Sequence, residues 1–286
     1  MNTTVAFIGL GAMGFPMAAR LAAAGHALRV FDIVPATAAR FAAERPACAC
    51  TSPAHALDGA DIAITMLPSS SEVESTLLSG EASAALRSGT TIIDMSSSEP
   101  MRTRALAQAL AARGVTLVDA PVSGGVNKAR DGSLAIMFGG TEEQLARCTP
   151  LLSAMGTKIF RTGEVGSGHA MKALNNFVSA AGLVAAVEAL HVGEKFGLDP
   201  HVMTSILNAS TGRNNTTENK VEQFMLSGKF DSGFGLALME KDVGIAVKLA
   251  EALGVAVPQG KSCHELWAQA TRSTKGADHT EMYRLL

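Results

Sequence analysis

The stretch Thr4-Val5-Ala6-Phe7-Ile8-Gly9-Leu10-Gly11-Ala12-Met13-Gly14-Phe15-Pro16-Met17 decides the fold. An apolar, strand-forming run from Val5 to Ile8 ends in Gly-x-Gly-x-x-Gly, and a helical pattern over Met13–Ala24 opens directly behind it. In that context each glycine has a task. Gly9 permits the tight turn, Gly11 lets the backbone approach a diphosphate, and Gly14 lets helix and strand pack closely. The exposed amides of Leu10, Ala12 and Met13, together with the positive end of the helix dipole, attract phosphate.

Working outward, Asp32 stands 18 residues after Gly14, at the end of a second apolar run, Leu28–Phe31. A carboxylate there accepts hydrogen bonds from the adenine-ribose hydroxyls of NAD and repels the 2′-phosphate of NADP. The next residues, Ile33 and Val34, offer that phosphate no cation, so NAD is favoured over NADP. Further short apolar runs lie at Ile62–Leu67, Thr91–Asp94, Thr116–Asp119, Leu134–Phe138 and Lys158–Phe160, with helical segments at Ala36–Glu44, Met101–Arg113 and Glu142–Met155. Strand and helix in alternation predict an α/β fold: a Rossmann-type, doubly wound, mostly parallel sheet with helices on both faces. Ligands of such sheets lie beyond the carboxyl ends of the strands. Leu67 and Pro68 end one strand there and can line the adenine side, and Ser96 can reach the nicotinamide side; all three also fit ordinary loops.

The alternation stops near Gly163. Gly168–Phe196 then reads as one helix about 43 Å long at ~1.5 Å per residue, apolar around its whole circumference and so expected to be buried on most sides. Helical segments follow at His201–Ser210, Glu218–Leu226, Leu238–Leu253 and Cys263–Arg272. The expected division is residues 1–163 as an NAD-binding domain and 164–286 as an all-α domain for substrate and oligomer contacts.

Composition excludes several classes. The 286 residues carry a formal net charge of −2, with 17% charged and 47% hydrophobic residues. No global positive field exists to hold nucleic acid or an anionic membrane. The low-charge run between Lys172 and Glu188 falls short of the ~20 apolar residues of a membrane span. Cys48, Cys50, Cys148 and Cys263 are expected to be reduced thiols, and the N-terminal segment shows no secretion signal, which together suggest a cytoplasmic protein. Cys48-Ala49-Cys50 lacks the two-residue spacing of a zinc knuckle, so no metal site is expected.

Three further features carry chemistry. Asp119-Ala120-Pro121-Val122-Ser123-Gly124-Gly125 leaves a strand as a loop of backbone donors plus one hydroxyl, a nest suited to a carboxylate. Lys172 and Asn176 share a helix face after Gly166-Ser167-Gly168. A lysine in so apolar a helix is desolvated, which lowers its pKa toward neutrality and suits it to proton transfer; a lysine snorkelling at the helix edge is the alternative. Lys241-Asp242 follows the glycine-rich Gly233-Phe234-Gly235, placing Lys241 and Phe234 as candidates to meet cofactor or substrate, with a solvated surface pair as the alternative.

Over essentially its whole length the chain resembles the β-hydroxyacid dehydrogenase family, which includes 3-hydroxyisobutyrate dehydrogenase, tartronate semialdehyde reductase and, more distantly, 6-phosphogluconate dehydrogenase. The resemblance rests on four motifs in order: Phe7–Gly14 continued by Met17-Ala18, Asp119–Gly125, Gly166-x-Gly168-x-x-x-Lys172-x-x-x-Asn176, and Lys241-Asp242. It implies an oxidoreductase moving a hydride between a nicotinamide and a small hydroxy acid, with Lys172 as general acid or base. Asn176 then holds substrate, Ser123, Gly124 and Gly125 bind its carboxylate, Lys241 lies near both ligands, and Ser96 touches the cofactor. It also implies a long helix bridging the domains, and homodimers or homotetramers. Arg20 and Val243 depart from the usual Asn and Leu without touching the expected chemistry. Arg213, in the variable Ser210–Asn214 segment, is a candidate second anchor for substrate. 3-Hydroxyisobutyrate, tartronate semialdehyde and threonate-like sugar acids all remain open as substrates. An imine reductase, which usually lacks the lysine and prefers NADPH, is disfavoured by Lys172 and Asp32. A non-catalytic NAD-binding scaffold is disfavoured because every motif is kept.

Overall fold

The computed structural model describes residues 3–286, which form two compact units that divide between Lys172 and Ala173. In the first, nine strands make one sheet: β1 Thr4–Ile8, β2 Ala27–Phe31, β3 Ala47–Ala49, β4 Ile62–Thr65, β5 Thr91–Asp94, β6 Thr116–Asp119, β7 Val122–Ser123, β8 Leu134–Gly139 and β9 Gly156–Gly163. Their order is β3-β2-β1-β4-β5-β6-β8-β7, with β9 also paired to β8. The first six strands in that order are parallel; β8 runs antiparallel to β6 and β7. The expected Rossmann-type sheet is present.

Successive residues of a strand face opposite sides of the sheet, and here both sides are buried. Val5 and Phe7 of β1, Ile64 of β4, Ile93 of β5 and Val118 of β6 enter one core with Met17 and Leu21 of α1 (Gly14–Ala23) and Phe41 of α2 (Pro35–Glu44). Ala6, Ile8, Ala63, Ile92 and Leu117 enter the other. That second core is closed by α3 (Pro53–Leu57), α4 (Ser70–Leu78), α5 (Gly80–Ala85) and α6 (Pro100–Ala111). Burial on both faces explains why these strands read as continuous apolar runs. Two further helices, α7 (Gly125–Asp131) and α8 (Glu142–Leu152), complete the unit. A capping box between Thr141 and Gln144 starts α8.

Beyond β9 the described residues form helices and turns, with an isolated antiparallel bridge between Gly235 and Asp278. These are α9 (Ser167–Phe196), α10 (Pro200–Ala209), α11 (Asn215–Asn219), a π-helix (Val221–Leu226), α12 (Leu236–Ala252), α13 (Pro258–Ser273), a 3₁₀ turn (His279–Glu281) and α14 (Met282–Leu285). In the second unit Leu183, Val187 and Leu190 of α9 pack with Met239 and Val243 of α12 and Cys263 and Trp267 of α13.

Two expectations about α9 need correction. At 30 residues it is long and apolar enough to cross a membrane by length and composition, because Lys172 and Glu188 do not interrupt the helix. It is also not buried on most sides: Val178, Val192 and Phe196 are 69%, 71% and 83% exposed. Its apolar residues form a core face and, opposite, a face left open.

Candidate active site

The glycine turn behaves as its spacing demands. Gly9 adopts φ +99°, a left-handed conformation that glycine enters freely, and a Cβ there would lie 2.3 Å from the Met66 carbonyl oxygen. A Cβ on Gly14 would lie 2.0 Å from the Gly9 carbonyl oxygen, so helix and strand touch backbone to backbone. A Cβ on Gly11 would meet nothing within 4 Å. Gly11 and Ala12 are exposed, and the N-cap residue of α1, Met13, makes no side-chain hydrogen bond to the helix start. The first amides of α1 are therefore free of a capping side chain, with open space in front, as an anion site requires.

Asp32 braces this turn. Its carboxylate accepts from the amide of Leu10 at 2.7 Å and from that of Val34 at 2.9 Å. It is half-buried, and each oxygen keeps a lone pair for a further donor. Leu67 packs near Gly9, and Pro68 is exposed beside it. Ser96 lies differently from expectation. It is fully buried, and its hydroxyl accepts from the Leu67 amide at 2.9 Å. That bond ties the end of β5 to the Leu67-Pro68 loop.

Two buried aspartates, Asp94 and Asp119, end the neighbouring parallel strands β5 and β6 in register. Asp94 accepts from Thr65 Oγ1 (2.9 Å), the Ser96 amide (3.0 Å) and Ser98 Oγ (2.8 Å). Asp119 accepts from the amides of Gly166 (2.6 Å) and His169 (2.8 Å), which open α9. Burial pushes the Asp119 carboxyl above the ordinary range, while His169 and the two amides pull it back. The His169 ring is buried with Nδ1 2.9 Å from Thr103 Oγ1 and 3.7 Å from Asp119. A Cβ on Gly168 would lie 2.2 Å from the Met137 carbonyl oxygen, so this turn presses on β8. The start of α9 is thus fastened to the carboxyl end of β6 and, through Thr103, to α6, and Lys172, partly buried, follows His169 by three residues.

At the same edge, β6 runs into Ala120-Pro121 and β7. Ser123 is partly buried, and Gly124 (φ +133°) and Gly125 (φ +71°) are exposed and open α7. In the helical unit, Asn176 is buried and donates from Nδ2 to Asp242 Oδ2 at 2.6 Å. Lys241 Nζ lies 3.8 Å from the other oxygen of Asp242. Lys241, Asp242 and Asn176 therefore form one cluster rather than a solvated pair. Arg213 is exposed and lies 3.6 Å from Glu218 Oε1. Phe234 packs against the unit's core and edge-on to His279, with ring centroids 5.6 Å apart. His169 escaped the sequence reading, and so did the supporting roles of Asp94 and Asp242, although an aspartate ending each of two successive strands was a readable signal. A concavity of about 530 Å³ runs along α6 and β6 past Arg104 and Thr116, and none of the residues singled out from sequence lines it.

Comparison with known proteins agrees with this geometry. Residues 4–163 match the model of the NAD-binding domain of 6-phosphogluconate dehydrogenase. Residues 166–286 match the model described as NAD-binding of NADP-dependent 3-hydroxyisobutyrate dehydrogenase. A 3-hydroxyisobutyrate dehydrogenase of Pseudomonas aeruginosa is 38% identical, over 99% of this chain and 98% of its own. The chain belongs to the β-hydroxyacid dehydrogenase family. A 2-(hydroxymethyl)glutarate dehydrogenase of Eubacterium barkeri is 39% identical over 89% of this chain and 84% of its own. The 3-hydroxyisobutyrate dehydrogenase of Mycobacterium tuberculosis, solved with L-serine, superposes with a TM-score of 0.92 at 34% identity, covering 99% of both chains. An imine reductase of Myxococcus stipitatus, at 16% identity and a TM-score of 0.69, shares the fold alone. Membership in the β-hydroxyacid dehydrogenases makes this an oxidoreductase that uses a nicotinamide dinucleotide, and its glycine turn, bare helix start and Asp32 fit that group.

Proposed function

We propose that the chain interconverts a small 3-hydroxy acid of the 3-hydroxyisobutyrate type and its semialdehyde, with Lys172 as the general acid and base. One observation carries this reading: Asp119 and His169 fasten the start of α9 to the strand ends of the sheet that bears the glycine turn, so Lys172 emerges at the edge where ligands of such sheets bind. When bound, the nicotinamide supplies a two-electron hydride acceptor or donor. Gly11, Ala12 and Met13 would hold the diphosphate with their amides, Leu10 would shape the turn through its amide bond to Asp32, and Asp32 would hold the adenine ribose, favouring NAD over NADP. Ser123, Gly124 and Gly125 receive the substrate carboxylate. In oxidation Lys172, as the neutral amine, takes the proton from the substrate hydroxyl as the C–H bond gives up its hydride. In reduction Lys172, as the ammonium, returns a proton to the carbonyl oxygen. Asn176, one helical turn further on and held by Asp242, orients the substrate oxygen, with Lys241 adding positive charge.

Tartronate semialdehyde and threonate-like acids are the alternative substrates. The Eubacterium barkeri relative, named for a hydroxymethyl acid, fits the same class. We place the division of labour at residue 163, with residues 164–286 serving substrate and oligomer contacts. Val192 and Phe196 of α9 and Val202 and Ile206 of α10 leave apolar surface exposed, which a second copy of the chain would cover. Four free cysteines suit the reducing cytoplasm.

The test is Lys172→Ala against a panel of hydroxy acids, followed by NADH absorbance. Loss of a positioned general acid or base costs about 10²- to 10⁴-fold in kcat, with NAD affinity unchanged. Turnover close to the parent's removes Lys172 from the mechanism, and absence of turnover by the parent on the whole panel removes the substrate class.

A further inference from the structure

The edge of the sheet farthest from β7 brings together three residues that the established chemistry does not use. Cys48 lies in β3 and Cys50 directly after it, so their side chains leave the same face of the extended chain. The Cys50 amide donates to the Val30 carbonyl at 2.8 Å, which holds the end of β3 against β2. The chain then turns through Thr51 into α3, whose N-cap Ser52 accepts from the His55 amide at 3.1 Å. Arg29 of β2, the register partner of Cys48, fixes the same helix from beneath. Its Nε donates to the Ala56 carbonyl at 3.2 Å and its Nη2 to the His55 carbonyl. Strand, cap and guanidinium together set the His55 ring beside the two sulfurs. The two thiol sulfurs and one imidazole nitrogen all lie within 4.8 Å of one another.

We propose that Cys48, Cys50 and His55 form a binding site for a thiophilic d¹⁰ cation of the zinc class. The donor set of two thiolates and one imidazole is what such cations select over Mg²⁺ or Ca²⁺. Tetrahedral coordination at Zn–S ≈ 2.3 Å places two sulfurs about 3.8 Å apart, so the observed spacing closes by side-chain rotation of an ångström or less. The site is half open: Cys50 is buried while Cys48 and His55 are exposed, which leaves the fourth position to water or an external ligand. Binding forms two S–metal bonds and one N–metal bond, releases the two thiol protons to solvent, and involves no electron transfer. A disulfide is the competing fate of two such thiols. Two residues of extended strand separate their Cα atoms by about 6.6 Å, at the long limit of the roughly 4.4–6.8 Å that a disulfide spans, so the backbone favours a bridging cation. The sequence rule for zinc knuckles missed this site because the strand supplies a Cys-x-Cys spacing and the third ligand comes from the next helix.

The experiment uses the full chain, reduced and freed of metal, titrated with Zn²⁺ against a chromophoric chelator and with Cd²⁺ by thiolate charge-transfer absorption. The expected result is one equivalent per chain. The Cys48→Ser/Cys50→Ser double variant loses the charge-transfer band. The exposed-site variant His55→Gln weakens binding by at least the ~10- to 100-fold that loss of even an outer partner costs. Both variants keep parental NAD binding and turnover, since none of the three residues is among those assigned to cofactor or substrate. Cys148 and Cys263 are buried in two separate apolar cores and belong to no cluster of metal-ligating side chains among the described residues, so they do not compete. No equimolar binding, a band retained in the double variant, or a Cys48–Cys50 disulfide in protein purified without reductant overturns the proposal.

Discussion

Two glycines of the turn, Gly11 and Gly14, are three residues apart, and the structure assigns opposite consequences to adding a methyl group at each. A Cβ on Gly14 would sit 2.0 Å from the Gly9 carbonyl oxygen and 3.3 Å from the Phe7 ring, and the first of these atoms is backbone that cannot rotate away. Gly14→Ala must therefore push α1 off β1, uncovering the core around Met17 and Leu21. Overpacking alone costs about 1–3 kcal/mol; with core exposure added, more than about 4 kcal/mol is expected. At about 2–4 °C per kcal/mol for a chain of this size, Tm should fall by roughly 8 °C or more. Gly11 has open space on its Cβ side and is not among the positive-φ residues. Gly11→Ala should leave stability unchanged to within about 1 kcal/mol, or raise it by restricting the unfolded chain. Its methyl group nevertheless fills the space through which a diphosphate must approach. Loss of two charge-assisted amide contacts at about 1.5–3 kcal/mol each amounts to 10²-fold or more in NAD affinity. The assay is a thermal melt paired with a fluorescence titration of NADH. A Gly11→Ala protein that binds NADH within threefold of the parent, or a Gly14→Ala protein that melts with the parent, would refute the reasoning.

Asp119→Asn keeps the size of the side chain but turns an NH₂ toward one of the two α9 amides it caps; a loss of about 1.5–3 kcal/mol of anchoring should lower kcat by roughly 10- to 100-fold while NAD affinity holds. Wild-type kcat together with unchanged hydrogen exchange at His169 would show that the anchor does not position Lys172. Lys220 tests the helical unit: burial lowers its ammonium from 10.5 to about 8, with Asp278 pulling the other way. Between those two pH values the unfolded chain binds the proton that the folded chain has released, so stability rises with pH across the window and the charged form weighs on the fold below it. Lys220→Met should then raise Tm at pH 7 by a few degrees, an advantage that shrinks toward pH 10; an equal or growing advantage at high pH contradicts the assignment.

How much of this was legible in the sequence depended on the range of the interaction. The glycine turn, Asp32 and the core strands announce themselves within a few residues, because a doubly buried strand is a continuous apolar run and a dinucleotide turn is local geometry. β3 and β7 did not, being three and two residues long and defined only by their pairing with β2 and β8. α3, α4, α5 and α7 are short, and α4 carries three serines in nine residues, so their faint periodicity was read as connection. Within the candidate site Lys172 and Asn176 stood out through helical spacing. Which residues brace them was not legible, because Asp119 lies 50 residues from His169 and Asp242 lies 66 from Asn176. The open face of α9 was misjudged for a related reason: an apolar circumference does not reveal which of its sides the chain itself covers.

The carboxyl edge of the sheet poses an electrostatic problem that its hydrogen bonds resolve. Asp32, Asp94 and Asp119 end β2, β5 and β6 at the edge expected to receive an anionic diphosphate and a carboxylate, and three bare carboxylates there would repel both. Each is instead committed to donors of its own unit: Asp32 to the amides of Leu10 and Val34, Asp94 to Thr65, Ser96 and Ser98, and Asp119 to the amides of Gly166 and His169. Asp94 and Asp119 are 1% and 0% exposed, so their charge is spent on fixing the loop after β5 and the start of α9. Asp32 alone is reachable, and it is the one carboxylate whose expected ligand is a pair of neutral hydroxyls.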